Sequence, residues 1–361
     1  MIKLHTRVEM RLMVLVVGMF ALAASHVALA QTAPADAAKQ LYEQGVKLYR
    51  QGNYDGATEA LQKAAKIQPR FAEVHHLLGV IYFNGKKQPA EAVEEIKKAI
   101  QIKPNFPQAH YHLGLIYQTQ GKSADAEQAL KKAIEVSPPA FPVSENAYLA
   151  LAKLYDHDHA TDKAVQAYQA VLTLKPDHQE ALYSLAELYD SRGDGRQAHA
   201  ILGRLTKANP AHADGWYLLG RIAERENNLS QATEAYRMAI AAKPDLVDAH
   251  YNLGFIYRSE GKEEQAAKEF LEVLRLKPEY AEAHMNLGVV YAGLNKLEEA
   301  EREYEAAIAL KPTMVEAHYS LGLFYELNKK DPIKALAQYR KYLELGGKDE
   351  RVERIVGQRP R

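Results

Sequence analysis

Apolar residues follow a helical spacing through most of the chain. In residues 248–278 they fall at i, i+3, i+4 and i+7, stop at Glu260-Gly261-Lys262, and then resume with the same spacing. A period near 3.6 residues is typical of an amphipathic helix, and a glycine between two such runs indicates a turn. The pattern therefore predicts two short helices packed against each other.

This two-helix pattern recurs nine times, and each recurrence carries an alanine at a step of 34 or 35 residues, with one step of 38. The nine alanines are Ala57, Ala92, Ala126, Ala164, Ala198, Ala232, Ala266, Ala300 and Ala335. A proline follows each of the first eight after twelve residues, and Gly347 takes this place in the ninth unit. Since proline cannot continue a helix, it closes each unit. A period of this length predicts a stack of one supersecondary unit.

The first helix of each unit has three further regular positions. A large residue precedes the alanine by sixteen or seventeen residues, a Gly or Ala comes four later, and usually a tyrosine three after that; the seventh unit has His250, Gly254 and Tyr257. This arrangement resembles the tetratricopeptide repeat, whose W-x₂-L-G-x₂-Y…A-x₃-F…P pattern matches the units ending at Pro244 and Pro278 apart from expected swaps. The resemblance covers residues 36–347. It implies an all-α fold, a right-handed α-solenoid superhelix of nine stacked helix-turn-helix repeats.

The first 30 residues do not follow the repeat. Three basic residues precede an apolar stretch over residues 12–24, and Ala28-Leu29-Ala30 forms a small-residue cleavage site. This order is typical of a secretory signal peptide, so we expect an exported protein, periplasmic or secreted, that begins at Gln31. An uncleaved membrane anchor is the alternative, although the apolar stretch is short for a membrane span. Residues 31–35 are expected to be a disordered leader, and residues 348–361 a cap helix and tail.

The segment Pro138-Pro139-Ala140-Phe141-Pro142 adds four residues between the third and fourth units. Two interpretations compete: a surface bulge within one continuous solenoid, which we favour, and a joint between three N-terminal and six C-terminal repeats. Single-residue insertions within 86–89 and 329–332 are expected at the turn between the two helices, where extra length costs little.

Composition and motifs argue against catalysis. The chain has 46 basic residues, 46 acidic residues and no cysteine, which gives no reason to expect nucleic-acid binding and excludes thiol chemistry and disulfides. His75, His110, His250, His284 and His318 occupy the large-residue position, where helices are expected to pack. His157 and His159, in an Asp-rich turn, are weak candidates for a metal site. We therefore expect no enzyme activity, no cofactor and no small-molecule substrate.

The concave side is the expected binding surface. The residue after each large one should line it, together with the residue four positions further on, and carboxylates three positions before should border it. The partner-binding residues predicted in this way are Tyr42, His76, Tyr111, Lys153, Tyr183, Glu187, Tyr217, Arg221, Tyr251, Phe255, Met285 and Tyr319. Tyrosine offers apolar area and a hydroxyl with few rotors to freeze. The alternative is that some of these tyrosines only join neighbouring repeats.

The sequence thus predicts a non-catalytic scaffold of the bacterial cell envelope that binds a protein or peptide segment in its groove. Membrane contact is expected only if the signal segment stays uncleaved. The alternative is a non-catalytic accessory subunit of a glycan- or lipid-handling enzyme complex.

Overall fold

The computed structural model describes residues 34–138 and 142–357, and all regular structure in these residues is helical. Eighteen helices form nine consecutive pairs, and a nineteenth helix follows them. The helices are α1 (34–50), α2 (Tyr54–Ile67), α3 (Ala72–Val80), α4 (Pro89–Ile102), α5 (Pro107–Thr119), α6 (Ser123–Glu135), α7 (Pro142–His157), α8 (Thr161–Leu174), α9 (Gln179–Ser191), α10 (Gly195–Ala208), α11 (Ala213–Arg225), α12 (Leu229–Ala242), α13 (Val247–Ser259), α14 (Glu263–Leu276), α15 (Ala281–Gly293), α16 (Leu297–Leu310), α17 (Val315–Leu327), α18 (Pro332–Glu344) and α19 (Glu350–Gly357).

The helices pack in sequence order. The two helices of a pair make the most extensive contacts, as in α11 with α12, and the second helix then packs against the first helix of the next pair, as in α12 with α13. The predicted all-α stack of helix pairs is therefore confirmed.

Each pair is held together at one close contact. The marker alanines are buried, and the small residue of the first helix faces the side chain four residues after the alanine. At Gly220 an added Cβ would lie 2.5 Å from the ring of Tyr236, and at Gly79 it would lie 2.6 Å from Ile96. Glycine at this position therefore allows the large side chain of the second helix to lie directly against the backbone of the first.

The turn within each pair always contains one residue with a left-handed backbone. Glycine takes this place in four repeats and another residue in five. The nine residues are Gly52, Lys87, Gly121, His159, Gly193, Asn227, Gly261, Asn295 and Lys330, with φ between 54° and 78°. Several second helices then begin at a capping side chain; the Asn228 carboxamide, for example, accepts a hydrogen bond from the Gln231 N–H at 3.3 Å.

The described residues form two compact units that divide between Ala181 and Leu182. The division falls within α9, away from residues 138–142, where the sequence favoured a surface bulge over a joint. Residues 139–141 lie outside the described residues, and Pro142 is the first residue of α7, where a helix tolerates proline. Residues 34 and 35, the last two of the expected leader, are helical. At the other end α19 buries Val352 against α17 and α18.

The expected signal peptide, residues 1–30, and residues 31–33 lie outside the described residues. None of the helices in the described part of the chain is both long and apolar enough to cross a membrane.

Candidate partner-binding face

The first helices of the pairs lie on the inner side of each unit. Consecutive first helices touch one another, α5 with α7 in the first unit and α13 with α15 and α15 with α17 in the second. Among the described residues, no two consecutive second helices approach each other over a comparable length. At these places the first helices come closer to one another than the second helices do, as is expected of the inner side of a curved stack. We call the exposed surface of these helices the inner face.

The predicted row of aromatic residues lies on the inner face, but it also joins neighbouring repeats. Tyr251 stacks on Tyr280, the residue that precedes α15, with ring centroids 5.1 Å apart and an interplanar angle of 22°. Tyr183 stacks in the same way on His212, which precedes α11, at 5.5 Å. Tyr42 contacts Phe71, His76 contacts Phe106, and Met285 packs against Met314. Each of these five side chains therefore has one edge against the next repeat and is half-buried, whereas Tyr217 and Tyr319 contact rings of their own repeat.

The positions four residues further along the first helices are more open in the middle of the chain. Lys153, Glu187, Arg221 and Phe255 are exposed there, whereas Val80 is buried. Lys153 Nζ lies 2.5 Å from Glu180 Oε1. Phe255 is 40 % exposed, and the guanidinium of Arg258 lies 4.7 Å from its ring centroid.

The carboxylates that border the row belong to the next repeat and raise the pKa of tyrosine hydroxyl groups in the row. Burial raises the pKa of Tyr217, and the negative charge of Asp248 raises it further. Burial likewise raises the pKa of Tyr251, with a further contribution from Glu282. Two tyrosines of this face therefore lie within electrostatic reach of a carboxylate of the next repeat, although Arg221 and Arg258 act in the opposite direction.

A polar network that the sequence did not predict fixes part of this face. Asn286 is buried, and its Nδ2 donates to the hydroxyl of Tyr251 at 3.0 Å and to the carbonyl of Glu282 at 2.8 Å. Its Oδ1 accepts from the guanidinium of Arg258. The only sequence signal was an asparagine directly after Tyr251 and again after Met285. The network holds Tyr251 and Arg258 in place, which favours a preorganised surface.

The histidines at the large-residue position serve the fold. His284 Nε2 lies 2.9 Å from the carbonyl oxygen of Pro278, the residue that closes the preceding repeat. The same contact, to the proline six residues earlier, recurs at His75, His110, His250 and His318. Trp216 repeats it with its indole N–H, 2.9 Å from the carbonyl of Pro210.

The metal candidates lie apart from these histidines. The His157 side chain is 84 % exposed with Nδ1 3.1 Å from Asp158 Oδ1, and His159 takes the left-handed place of its turn. The described residues bring together no group of three His, Cys, Asp or Glu side chains that could hold a metal ion.

Comparison with known families agrees with this architecture. Family models described as "Tetratricopeptide repeat" match residues 111–179, 157–222 and 281–314. A model described as "TPR repeat" matches residues 45–85, 86–121, 220–261 and 254–294. No curated protein matches the sequence.

Solved structures of helical-repeat proteins are similar to parts of the chain. Pseudomonas aeruginosa pilF has 19 % identity and a TM-score of 0.50, with 59 % of this chain and 94 % of that chain covered. MamA has 24 % identity and a TM-score of 0.44, covering 48 % of this chain and 94 % of its own. YrrB, described as a TPR protein with an unusual peptide-binding site, has 19 % identity and a TM-score of 0.49, covering 54 % of this chain and all of its own. The pilF match shows a shared fold.

Proposed function

The chain belongs to the tetratricopeptide-repeat family, and we propose that it is a non-catalytic protein-interaction scaffold that binds a partner segment on its inner face. The family and the helical stack support the scaffold function in general. The finer assignment, to the inner face, rests on the geometry of the first helices.

The observation that supports this proposal most directly is the exposure of Phe255 on the inner face. Phe255 is a large aromatic side chain, 40 % exposed, on the inner face between Arg221 of the preceding repeat and Val289 of the next. Burying a fully exposed aromatic ring is favourable by about 1.5–3 kcal/mol, so covering the exposed part of Phe255 would contribute a fraction of that free energy. A partner that covers the ring would recover that fraction, and a rigid aromatic side chain is suited to this use.

A capture experiment with matched variants tests the proposal. The tagged protein, its Phe255→Asp variant and its Leu271→Asp variant are each used to retain proteins from the producing cells. Leu271 is 48 % exposed but lies on α14, a second helix, so it controls for the loss of an exposed apolar residue. We expect the wild type and Leu271→Asp to retain the same proteins and Phe255→Asp to lose them. Equal retention by all three would refute binding on the inner face. A catalytic subunit among the retained proteins would instead make the chain an accessory subunit.

We further propose that the protein works outside the cytoplasm. The support is the order of charge, apolar stretch and small-residue site in residues 1–30. N-terminal sequencing of protein recovered from an envelope fraction tests this proposal directly. A chain that starts at Gln31 is expected; an intact Met1 in the membrane fraction would indicate an anchor, and recovery from the cytosol alone would refute export.

A further inference from the structure

The two units differ in the charge of their inner faces. One difference lies at the position three residues before the aromatic row. In the first unit this position holds Lys39, Glu73, Gln108, Asn146 and Glu180. In the second unit it holds only carboxylates, Asp214, Asp248, Glu282 and Glu316, which we call the acidic row.

The carboxylates of the first unit are also neutralised within the chain. Glu73 accepts from Lys103 at 2.9 Å, and Glu180 pairs with Lys153 at 2.5 Å. In the acidic row, Glu282 pairs with Lys311 at 2.9 Å, while Asp214, Asp248 and Glu316 are exposed. Three carboxylates of the acidic row are therefore exposed, and the exposed Arg221 lies on the same face.

An apolar strip runs beside the acidic row. Phe255, Val289 and Leu323 occupy the same position on α13, α15 and α17, and they follow one another from repeat to repeat. On α13 the residues Asp248, Tyr251 and Phe255 stand at i, i+3 and i+7, so they lie on one stripe of the helix. The same order of carboxylate, aromatic ring and apolar side chain recurs on α17, whereas α15 has Met285 in place of the ring.

Stabilisation of the fold does not by itself explain why the acidic row holds carboxylates. A carboxylate in the first turn of a helix interacts favourably with the helix dipole. The corresponding helix α5 forms with Gln108 at that position and no acidic residue in its first turn, so helix formation does not require the charge. The carboxylates also lie close enough to the tyrosines of the preceding repeat to act on them, which places their charge at the inner face.

We propose that the inner face of residues 182–361 binds a partner segment that carries apolar and basic side chains together. This inference rests on the proposed function and specifies the chemistry of the partner. Apolar side chains of the segment would cover Phe255, Val289 and Leu323, while lysine or arginine would meet Asp214, Asp248 and Glu316. Packed helices are separated by about 8–10 Å, which two turns of a partner helix, about 11 Å, approximately match. A helical segment with a basic residue every seven positions therefore fits the row.

Fluorescence anisotropy with the full chain and two peptides tests the inference. The first labelled peptide is an amphipathic helix of leucine and lysine with the seven-residue spacing, and the second has glutamate in place of every lysine. The protein variants are Asp214→Asn/Asp248→Asn/Glu316→Gln and a control, Glu234→Gln/Glu264→Gln/Glu305→Gln. The control removes the same charge from exposed positions on second helices. Asp248→Asn alone is included in case the triple variant folds poorly.

The inference predicts that the leucine–lysine peptide binds the wild type at least about tenfold more tightly than the leucine–glutamate peptide at low salt. The acidic-row variant is expected to lose most of this difference, Asp248→Asn part of it, and the control variant none. Higher salt should weaken binding of the leucine–lysine peptide, because charges at an exposed surface are screened.

Three results would overturn the inference. Equal losses in the acidic-row and control variants would mean that only the net charge of the protein matters. Unchanged binding in the acidic-row variant would exclude those carboxylates. If both peptides bound equally and Phe255→Ser weakened both, the inner face would bind segments without a preference for basic ones. The proposed function would then stand, since it is judged by the capture experiment with Phe255→Asp.

Discussion

Single side chains link each repeat to the one before it. In His284 both ring nitrogens have acceptors: Nδ1 lies 2.6 Å from Glu303 Oε2 and Nε2 lies 2.9 Å from the Pro278 carbonyl. Two acceptors favour the doubly protonated ring, and the hydrogen bond to Glu303 raises the pKa of His284 above its ordinary value although burial opposes this. The contact therefore joins the end of one repeat to both helices of the next.

This contact makes part of the stability depend on pH. Because the pKa of His284 is raised in the folded state, its stabilisation is fully present below the unfolded pKa, about 6.5, and is lost as the pH rises through the folded pKa. We expect NMR titration to place the His284 pKa above that of an unfolded histidine, and Glu303→Gln to lower it. Hydrogen exchange in α15 and α16 should then depend less on pH in this window.

The matched control is Glu305→Gln, an exposed carboxylate on the same helix. If the pKa of His284 were unchanged in Glu303→Gln, or shifted equally in both variants, the hydrogen bond between His284 and Glu303 would be contradicted.

At this scale the sequence predicted which residues are buried but not what they bind. The 34-residue period identified the large-residue position of His284 and its contact with other helices. Its partner Glu303 is 19 residues away on α16, and in the sequence it is one of several glutamates of an amphipathic helix. Periodicity in the sequence shows which face of a helix is packed. It does not give the distance between two side chains on different helices, which decides whether they form a hydrogen bond.

The helix pairs depend on the space left by one glycine. At Gly220 an added Cβ would meet Tyr236, whose ring is fully buried and whose hydroxyl donates to Glu224 at 2.7 Å and accepts from Asn252 at 3.1 Å. At Gly254 the corresponding ring, Phe270, would lie 3.0 Å away. The phenylalanine has no hydroxyl to hold it, so it can shift more easily.

We therefore expect Gly220→Ala to destabilise the second unit by about 1–3 kcal/mol, the usual cost of overpacking, and Gly254→Ala to cost less. Gly203→Ala is the control: it lies in α10 with no atom within 4 Å of an added Cβ, so it should be neutral or gain up to about 1 kcal/mol of helix propensity. Urea unfolding followed by the single tryptophan, Trp216, measures all three. Equal effects of the three substitutions would refute the close contact.

The turns inside the pairs offer a second test at the scale of the element. Lys330 is exposed and holds a left-handed backbone with φ 54°, which costs a residue with a Cβ about 1 kcal/mol or more. Lys330→Gly is therefore expected to stabilise the last repeat by up to about 1 kcal/mol. Gly261→Ala, at φ 69° with open space around it, should destabilise by a similar amount. Thermal unfolding of both variants checks the prediction; a shift of the same sign in both would refute it.

Helices and turns were the most predictable level of this protein, because both depend on local sequence. The helix pairs, the closing prolines and the glycine turns follow from the repeat. The one-residue insertion near Lys86 was expected in the turn, but it widens the end of the first helix: Ile81–Gly85 form a π-helical turn, and the Lys86 N–H donates to the Ile81 carbonyl at 3.0 Å. A π-helical end of a helix can contain one extra residue without losing a hydrogen bond. The sequence pattern does not distinguish an insertion in the turn from an insertion at the helix end.

For the whole molecule, stability depends on which helices contact each other, and these are neighbours along the chain. Helices contact their neighbours in the chain, and each unit is a series of local cores such as the cluster around Phe270. We interpret the prolines of residues 138–142 as a surface bulge in preference to a joint, and the two compact units divide elsewhere, between residues 181 and 182. The place where the units divide depends on how side chains pack between successive helix pairs, and proline content does not predict this packing.

Local contacts of this kind predict that damage stays local. Gly254→Leu should force α13 and α14 apart, because the added side chain would meet Phe270, at a cost of about 1–3 kcal/mol. Stability in a repeat protein is approximately a sum of terms for each repeat and its nearest neighbours. We therefore expect hydrogen exchange to accelerate in α13 and α14, less in α11, α12, α15 and α16, and not in α3 to α6. Gly203→Ala serves as the unaffected reference. A uniform loss of protection from α3 to α18 would show that the chain unfolds as one cooperative body, and the nearest-neighbour description would then be wrong.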